Sequence, residues 1–273
     1  MRSEPDGEVA IAFHGVSKHY SLALQREATD LKTMLLHLPR FLSTARRPFV
    51  ALDNVDISVR RGESLGIIGP NGSGKSTTLR IMARITPPTS GQVITNGRIS
   101  ALLELGSGFN PQISGRENAV LNAVLLGLTL QEARDVLPDI IAFSELGDFI
   151  DQPMRTYSSG MYFRLGFAVG VHVQPEILLI DEVLAVGDAE FQKKCLDHIE
   201  RLRRDGVTLV LVTHDMLSMP KFCDRGILLE GGKITDEGSP QEVVHGYLAR
   251  VEALLALRKD EQQQLKLAQA ASR

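Results

Sequence analysis

Nine consecutive residues, Gly69-Pro70-Asn71-Gly72-Ser73-Gly74-Lys75-Ser76-Thr77, fit the pattern G-x-x-x-x-G-K-[ST] at Gly69, Gly74, Lys75 and Ser76. Backbone N–H groups converge on phosphate oxygens only where few Cβ atoms intervene, and a helix that follows turns its positive end to the same place. In such a loop Lys75 supplies a point charge for β- and γ-phosphates, and the Ser76 hydroxyl is a ligand for Mg²⁺. An apolar run before the loop, Ser64 to Ile68, and an amphipathic stretch after it give the strand–loop–helix context the chemistry requires.

A second constellation closes the apolar run Ile177 to Ile180 with Asp181-Glu182. A carboxylate at the end of a buried strand is costly unless a cation or partner meets it. Lys75 and Ser76 ask for such an acidic partner, so Asp181 is expected to hold Mg²⁺, directly or through water, and Glu182 to polarise a water attacking the γ-phosphate. His214 follows a third apolar run, Val207 to Val212, after Thr213. A lone histidine is usually a satisfied structural residue, but the end of a core strand brings this one towards the phosphates, where it can hydrogen-bond the γ-phosphate and the water. Tyr157-Ser158-Ser159-Gly160-Met161 precedes a helical pattern through Leu165 and Val169. A helix start with a hydroxyl is a second phosphate-binding surface, although spacing alone favours an ordinary cap.

The elements that must position these residues alternate between strand and helix. Residues 9–20, 50–59, 64–68, 92–103, 177–180 and 207–212 read as strands, and Gly226 to Ile234 as a hairpin over Gly231-Gly232. Residues from about 110 to 171 read as helical, with capping boxes at Ser114/Glu117 and Thr129/Glu132. Another box, Ser239/Glu242, starts an amphipathic helix through Val243, Val244, Tyr247, Leu248, Val251, Leu254 and Leu255. Residues 21–50 read as an insertion whose Leu31, Leu35, Leu38 and Leu42 fall at helical spacing until Pro39 bends or ends the helix. It is locally basic, and reads either as a surface helix on the domain's own core or as one lying near lipid headgroups.

Composition narrows the function classes. The 273 residues carry 30 Lys and Arg against 33 Asp and Glu, a net charge of −3, which argues against a general nucleic-acid binder. Cys195 and Cys223 lack metal-ligand spacing, exclude a disulfide framework and fit a reducing setting. The apolar stretches fall short of the roughly 20 residues a spanning helix needs, and the N-terminal residues do not form a signal peptide. Work at a membrane is therefore expected to be peripheral.

Taken together and in order, these motifs resemble the ABC ATPase family over about residues 9–240: GPNGSGKST as Walker A, YSSGM at the signature, ILLIDE as Walker B, Val186-Gly187-Asp188 at the D-loop and His214 as the switch histidine. The resemblance implies an α/β fold: a P-loop NTPase (RecA-like) core with an antiparallel β subdomain, an inserted α-helical subdomain over 105–171 and a helical tail over 246–273 after a nucleotide-binding domain at 1–245. It implies ATP and Mg²⁺ as cofactors, Tyr20 of VSKHY stacked on adenine, and nucleotide contacts from Gly69 to Thr77 and from Ser158, Ser159, Gly160 and Asp188. Glu182, His214 and Lys75 become the catalytic set, and Ser76, Asp181 and Glu104 the metal set. Glu104 stands at or within one residue of the place where the family has its Q-loop glutamine, a departure, since Gln112 comes too late.

Finer spellings, LLELGSGFNPQISGRENA, ILLIDEVLAVGD and the LKTMLLHLPRF insertion, resemble the ATP-binding subunits of bacterial polysaccharide exporters of the O-antigen, teichoic acid and capsule group. That branch implies a head-to-tail homodimer enclosing two ATP, a multi-span permease as partner, a polysaccharide cargo handled mainly by the permease, and a peripheral place on the cytoplasmic face of the bacterial inner membrane. The insertion helix then lies at the membrane beside the glycan's entry. The carbohydrate-binding β domain of some members is not expected. Competing readings are an ABC exporter of another cargo, a soluble ABC ATPase, and a small-molecule P-loop kinase, which explains neither YSSGM nor His214.

Overall fold

Strands that are apolar on both faces need a covering layer on each side, and this chain supplies two different ones. The computed structural model describes residues 9–21, 48–103, 105–106, 108–181, 188–213, 215–216 and 219–253. Through them run β1 (Val9–Ser21), β2 (Pro48–Arg60), β3 (Ser64–Ile68), α1 (Lys75–Met82), β4 (Ser90–Thr95), β5 (Ile99–Ala101), α2 (Gly115–Leu125), α3 (Leu130–Ser144), α4 (Ser159–His172), β6 (Ile177–Ile180), α5 (Ala189–Arg204), β7 (Thr208–Val212), α6 (Met219–Phe222), β8 (Arg225–Glu230), β9 (Lys233–Gly238) and a helix α7 over 240–253. Short 3₁₀ turns at Gly147–Asp151 and Met154–Thr156 join α3 to α4.

The central sheet has the order β5-β6-β7-β3-β8-β9, parallel except for β9, which returns antiparallel along β8. Every residue of β3, β6 and β7 is buried. Successive side chains point to opposite faces. Leu178, Ile180, Leu209 and Leu211 therefore join the core under the helices, while Ile177, Leu179, Val210 and Val212 join the core under α1 and a second sheet. That second sheet is antiparallel, in the order β2-β1-β4. Strands this apolar, with only Ser64 and Thr208 polar at the starts of β3 and β7, are what a parallel sheet covered on both faces demands.

Local signals set the helix starts. Ser114 and Thr129 each accept from the backbone N–H three residues on, and Glu117 and Glu132 reach back to complete both boxes. Ser239 and Glu242 do the same at the start of α7, which continues without a break past residue 245. Gly231 and Gly232, both at positive φ, make the turn between β8 and β9.

One expectation is corrected. Residues 92–103 form two strands of different sheets, since β4 pairs with β1 and β5 with β6. Between them Gly97 adopts φ 136, a conformation that side chains with a Cβ rarely take. The insertion helix, the residues after Ala253, and Glu104, Glu182 and His214 lie outside the described residues.

Candidate functional site

Strands β6, β7 and β3 are neighbours in the sheet, so their C-terminal ends open onto one edge. Asp181 follows β6, Thr213 follows β7, and the loop from Gly69 follows β3. In open α/β sheets this edge is where ligands collect. Two of the sequence-predicted residues meet there across a gap of more than a hundred positions: Ser76 Oγ donates to Asp181 Oδ2 at 3.3 Å. Lys75, buried, turns its Nζ to the carbonyls of Gly69 at 2.8 Å and Pro70 at 3.0 Å.

The loop is held from behind. Gly232 N–H donates to the Ser73 carbonyl at 3.0 Å, and Asp53 N–H to the Gly232 carbonyl at 2.9 Å, so the β8–β9 turn pins the loop to β2. Two glycines leave no room for a side chain. A Cβ on Gly69 would lie 2.0 Å from the Leu229 carbonyl oxygen, and one on Gly74 2.5 Å from that of Ala51. Both positions also take positive φ.

The start of α1 differs from those of its neighbours. Ser114, Thr129, Ser158 and Asp188 each cap their helices with a side-chain oxygen, whereas Gly74, at the start of α1, offers none. The first turn of α1 carries no acidic residue either. Its N–H groups and the positive end of the helix are thus turned to the loop, a setting suited to phosphate. The buried Ser73 hydroxyl has no hydrogen-bond partner among the described residues. A cleft of about 390 Å³ lies over this arrangement, lined by Phe49, Ala51, Asn71 to Thr77 and Asp181. Hydroxyl and carboxylate oxygens side by side, Ser76 and Asp181, form the donor set that hard Mg²⁺ prefers. A larger cavity of about 580 Å³ lies elsewhere, beside Arg225. Its guanidinium is already tied to Glu63 and Glu237, so it offers no uncompensated charge to a ligand.

Other sequence-predicted residues sit apart from the cleft lining. Ser158 caps α4, accepting from Met161 N–H at 3.2 Å, and with Ser159 it is exposed at the start of that helix; Gly160 follows. Tyr157 OH donates to the Phe149 carbonyl at 2.7 Å. Asp188 caps α5, accepting from Phe191 N–H at 2.9 Å and from Arg164 Nη2 at 2.5 Å. Those two donors hold its carboxyl below the usual range, the backbone one foremost. Arg164 also lies over the Phe191 ring, 4.5 Å from its centroid, and so ties α4 to the first turn of α5. Gln112 accepts from Arg155 at 3.2 Å. Tyr20 lies opposite Phe49 in the β1–β2 register, with Lys18 Nζ 5.1 Å from its ring centroid. Phe49 and Ala51 are the cleft residues that sequence reasoning misses: the strand reads from Val50 onwards, whereas β2 begins two residues earlier, at Pro48.

Residues 52–185 match a family model described as ABC transporter. An O-antigen export system ATP-binding protein of Klebsiella pneumoniae is 43% identical over 88% of this chain and 98% of its own length. One of Myxococcus xanthus is 47% identical over 89% of this chain, which spans 56% of that longer relative. Among solved structures, a dimeric ATP-binding cassette in a post-hydrolysis state with ADP and phosphate aligns with TM-score 0.66 at 23% identity, covering 84% of this chain and 98% of that one.

Proposed function

The chain belongs to the ABC transporter family of ATPases, and we propose that it is the ATP-hydrolysing subunit of an exporter that moves a cell-surface polysaccharide, of O-antigen, capsule or teichoic-acid type, across the cytoplasmic membrane. The ATPase part is carried by the meeting of Ser76 with Asp181 at the mouth of the phosphate loop, with Lys75 beside them. The cargo class rests on the nearly end-to-end likeness to the Klebsiella export protein.

In this reading the N–H groups of the loop and of the first turn of α1, with Lys75, grip the β- and γ-phosphates. Ser76 and Asp181 hold Mg²⁺, with Glu104 as a further oxygen. Mg²⁺, when bound, neutralises charge on the β- and γ-phosphoryl oxygens. Glu182 orients the attacking water, and His214 supports it and the γ-phosphoryl group. Positioning and fixed charge carry most of such a reaction.

Ser158, Ser159 and Gly160 lie outside the cleft of their own chain, which supports a head-to-tail pair in which a second copy brings its α4 start to the nucleotide. Asp188, engaged with Phe191 and Arg164, then holds the start of α5 against α4. Leu121, Val124 and Leu125 of α2 are exposed apolar residues, a surface suited to a multi-span permease. Among the described residues no helix is long and apolar enough to cross a membrane. The subunit in this reading sits peripherally on the cytoplasmic face.

The test is purification of a tagged Glu182→Gln protein with ATP from solubilised membranes. The variant should bind ATP while its turnover falls about a hundredfold or more. A stoichiometric multi-span protein encoded among glycosyltransferases should come with it. A soluble partner, or none where ATP dimers form, would move the protein to the non-transport ABC ATPases.

A further inference from the structure

We propose that Phe49, rather than Tyr20, is the platform on which the adenine ring stacks. The inference rests on the nucleotide reading of the cleft.

Phe49 lines the cleft over the phosphate loop, and so does Ala51, two residues along the same strand and hence on the same face. The Ala51 carbonyl is pressed against Gly74, so β2 lies directly on the loop. Phe49 is the next residue outward on that face, and 45% of it is exposed. A large apolar ring at the rim of a polar cleft, beside a phosphate site, suits a flat base that needs only a stacking surface. Tyr20, its cross-strand neighbour, is engaged differently. Lys18 Nζ lies over the Tyr20 ring at 5.1 Å and is fixed there by donating to the Pro87 carbonyl at 2.8 Å. A base stacking on that face of Tyr20 must displace a hydrogen-bonded ammonium, whereas one stacking on Phe49 need not. Tyr20 then flanks the platform.

The chain contains no tryptophan, so Phe49→Trp and Tyr20→Trp each place a single tryptophan at one ring. ATP should quench the Phe49→Trp emission, and tripolyphosphate, which fills the phosphate loop alone, should not. Phe49→Ala should weaken ATP binding about tenfold and leave tripolyphosphate binding unchanged, with Phe49→Tyr restoring the loss. Tyr20→Ala should have the smaller effect. Quenching confined to Tyr20→Trp, or equal losses of ATP and tripolyphosphate in Phe49→Ala, would overturn the assignment while leaving the nucleotide site intact. Wild-type protein that binds neither probe would instead overturn the nucleotide reading, and this inference with it.

Discussion

Replacing Gly74 by alanine separates two reasons for a glycine in the phosphate loop. Gly74 has φ 110, outside the ordinary left-handed well, and its new Cβ would meet the Ala51 carbonyl oxygen at 2.5 Å and Leu52 Cδ2 at 2.8 Å. The backbone conformation costs about 1–3 kcal/mol. The overlap adds about 1–3 kcal/mol, because the first atom met is main chain of a paired strand and cannot swing aside. Gly72 is the control: its φ is 77, and a Cβ there meets nothing within 4 Å. Gly72→Ala therefore costs only about 1–2 kcal/mol of backbone strain. At roughly 2 °C per kcal/mol for a chain of this size, Gly74→Ala should melt about 4–12 °C below wild type and Gly72→Ala about 2–4 °C below. Melting is followed by circular dichroism without nucleotide, since a ligand would raise both transitions by mass action. Equal melting temperatures for the two variants would refute the argument that β2 presses on the loop.

Two further expectations concern buried and half-buried groups away from the cleft. The His198 ring lies tilted beside His172, with centroids 4.9 Å apart, and burial, then the neighbouring histidine, pushes its pKa down to about 4. A depressed histidine contributes stability that is complete above the free value of 6.5 and is lost as pH falls towards 4, so denaturant midpoints should drop across that window. His198→Asn should flatten the drop, and an unchanged pH profile in that variant would refute the assignment. Burial also pushes the thiols of Cys195 and Cys223 up to about 12. Both should resist alkylation at pH 8 in the native protein and react once it is unfolded in denaturant; fast native labelling would contradict their burial.

What could be read from the sequence was mostly what is encoded locally. Gly69 to Thr77 is a contiguous motif, and the boxes at Ser114, Thr129 and Ser239 each span four residues, so type and spacing were sufficient. The all-apolar run at 177–180 and the nearly apolar one at 207–212, broken only by Thr208, reveal strands buried on both faces for the same reason. Partner choice between strands is not local. Asn96-Gly97 is a local turn signal inside residues 92–103, but only the pairing of β4 with β1 and of β5 with β6 shows that the two halves join different sheets. Phe49 escaped because its part in the cleft depends on β2 being laid against Gly74 from a distant part of the chain. Asp188 was expected at the nucleotide from its place in a motif. Its engagement by Arg164 depends on how α4 packs beside α5, which no spacing records.

The two ends of the six-stranded sheet bear on solubility. At one end β5 is only three residues long, and at the other β9 turns outward alternating exposed and half-buried residues that include Lys233, Asp236 and Glu237. Asp236 and Glu230 are further occupied by Arg250 from α7. Short strands and charged rims are the usual protection against a stranger's strand adding itself by main-chain hydrogen bonding. In the head-to-tail pair proposed above, such ends would keep the two copies from joining sheet to sheet, the route that leads to aggregation.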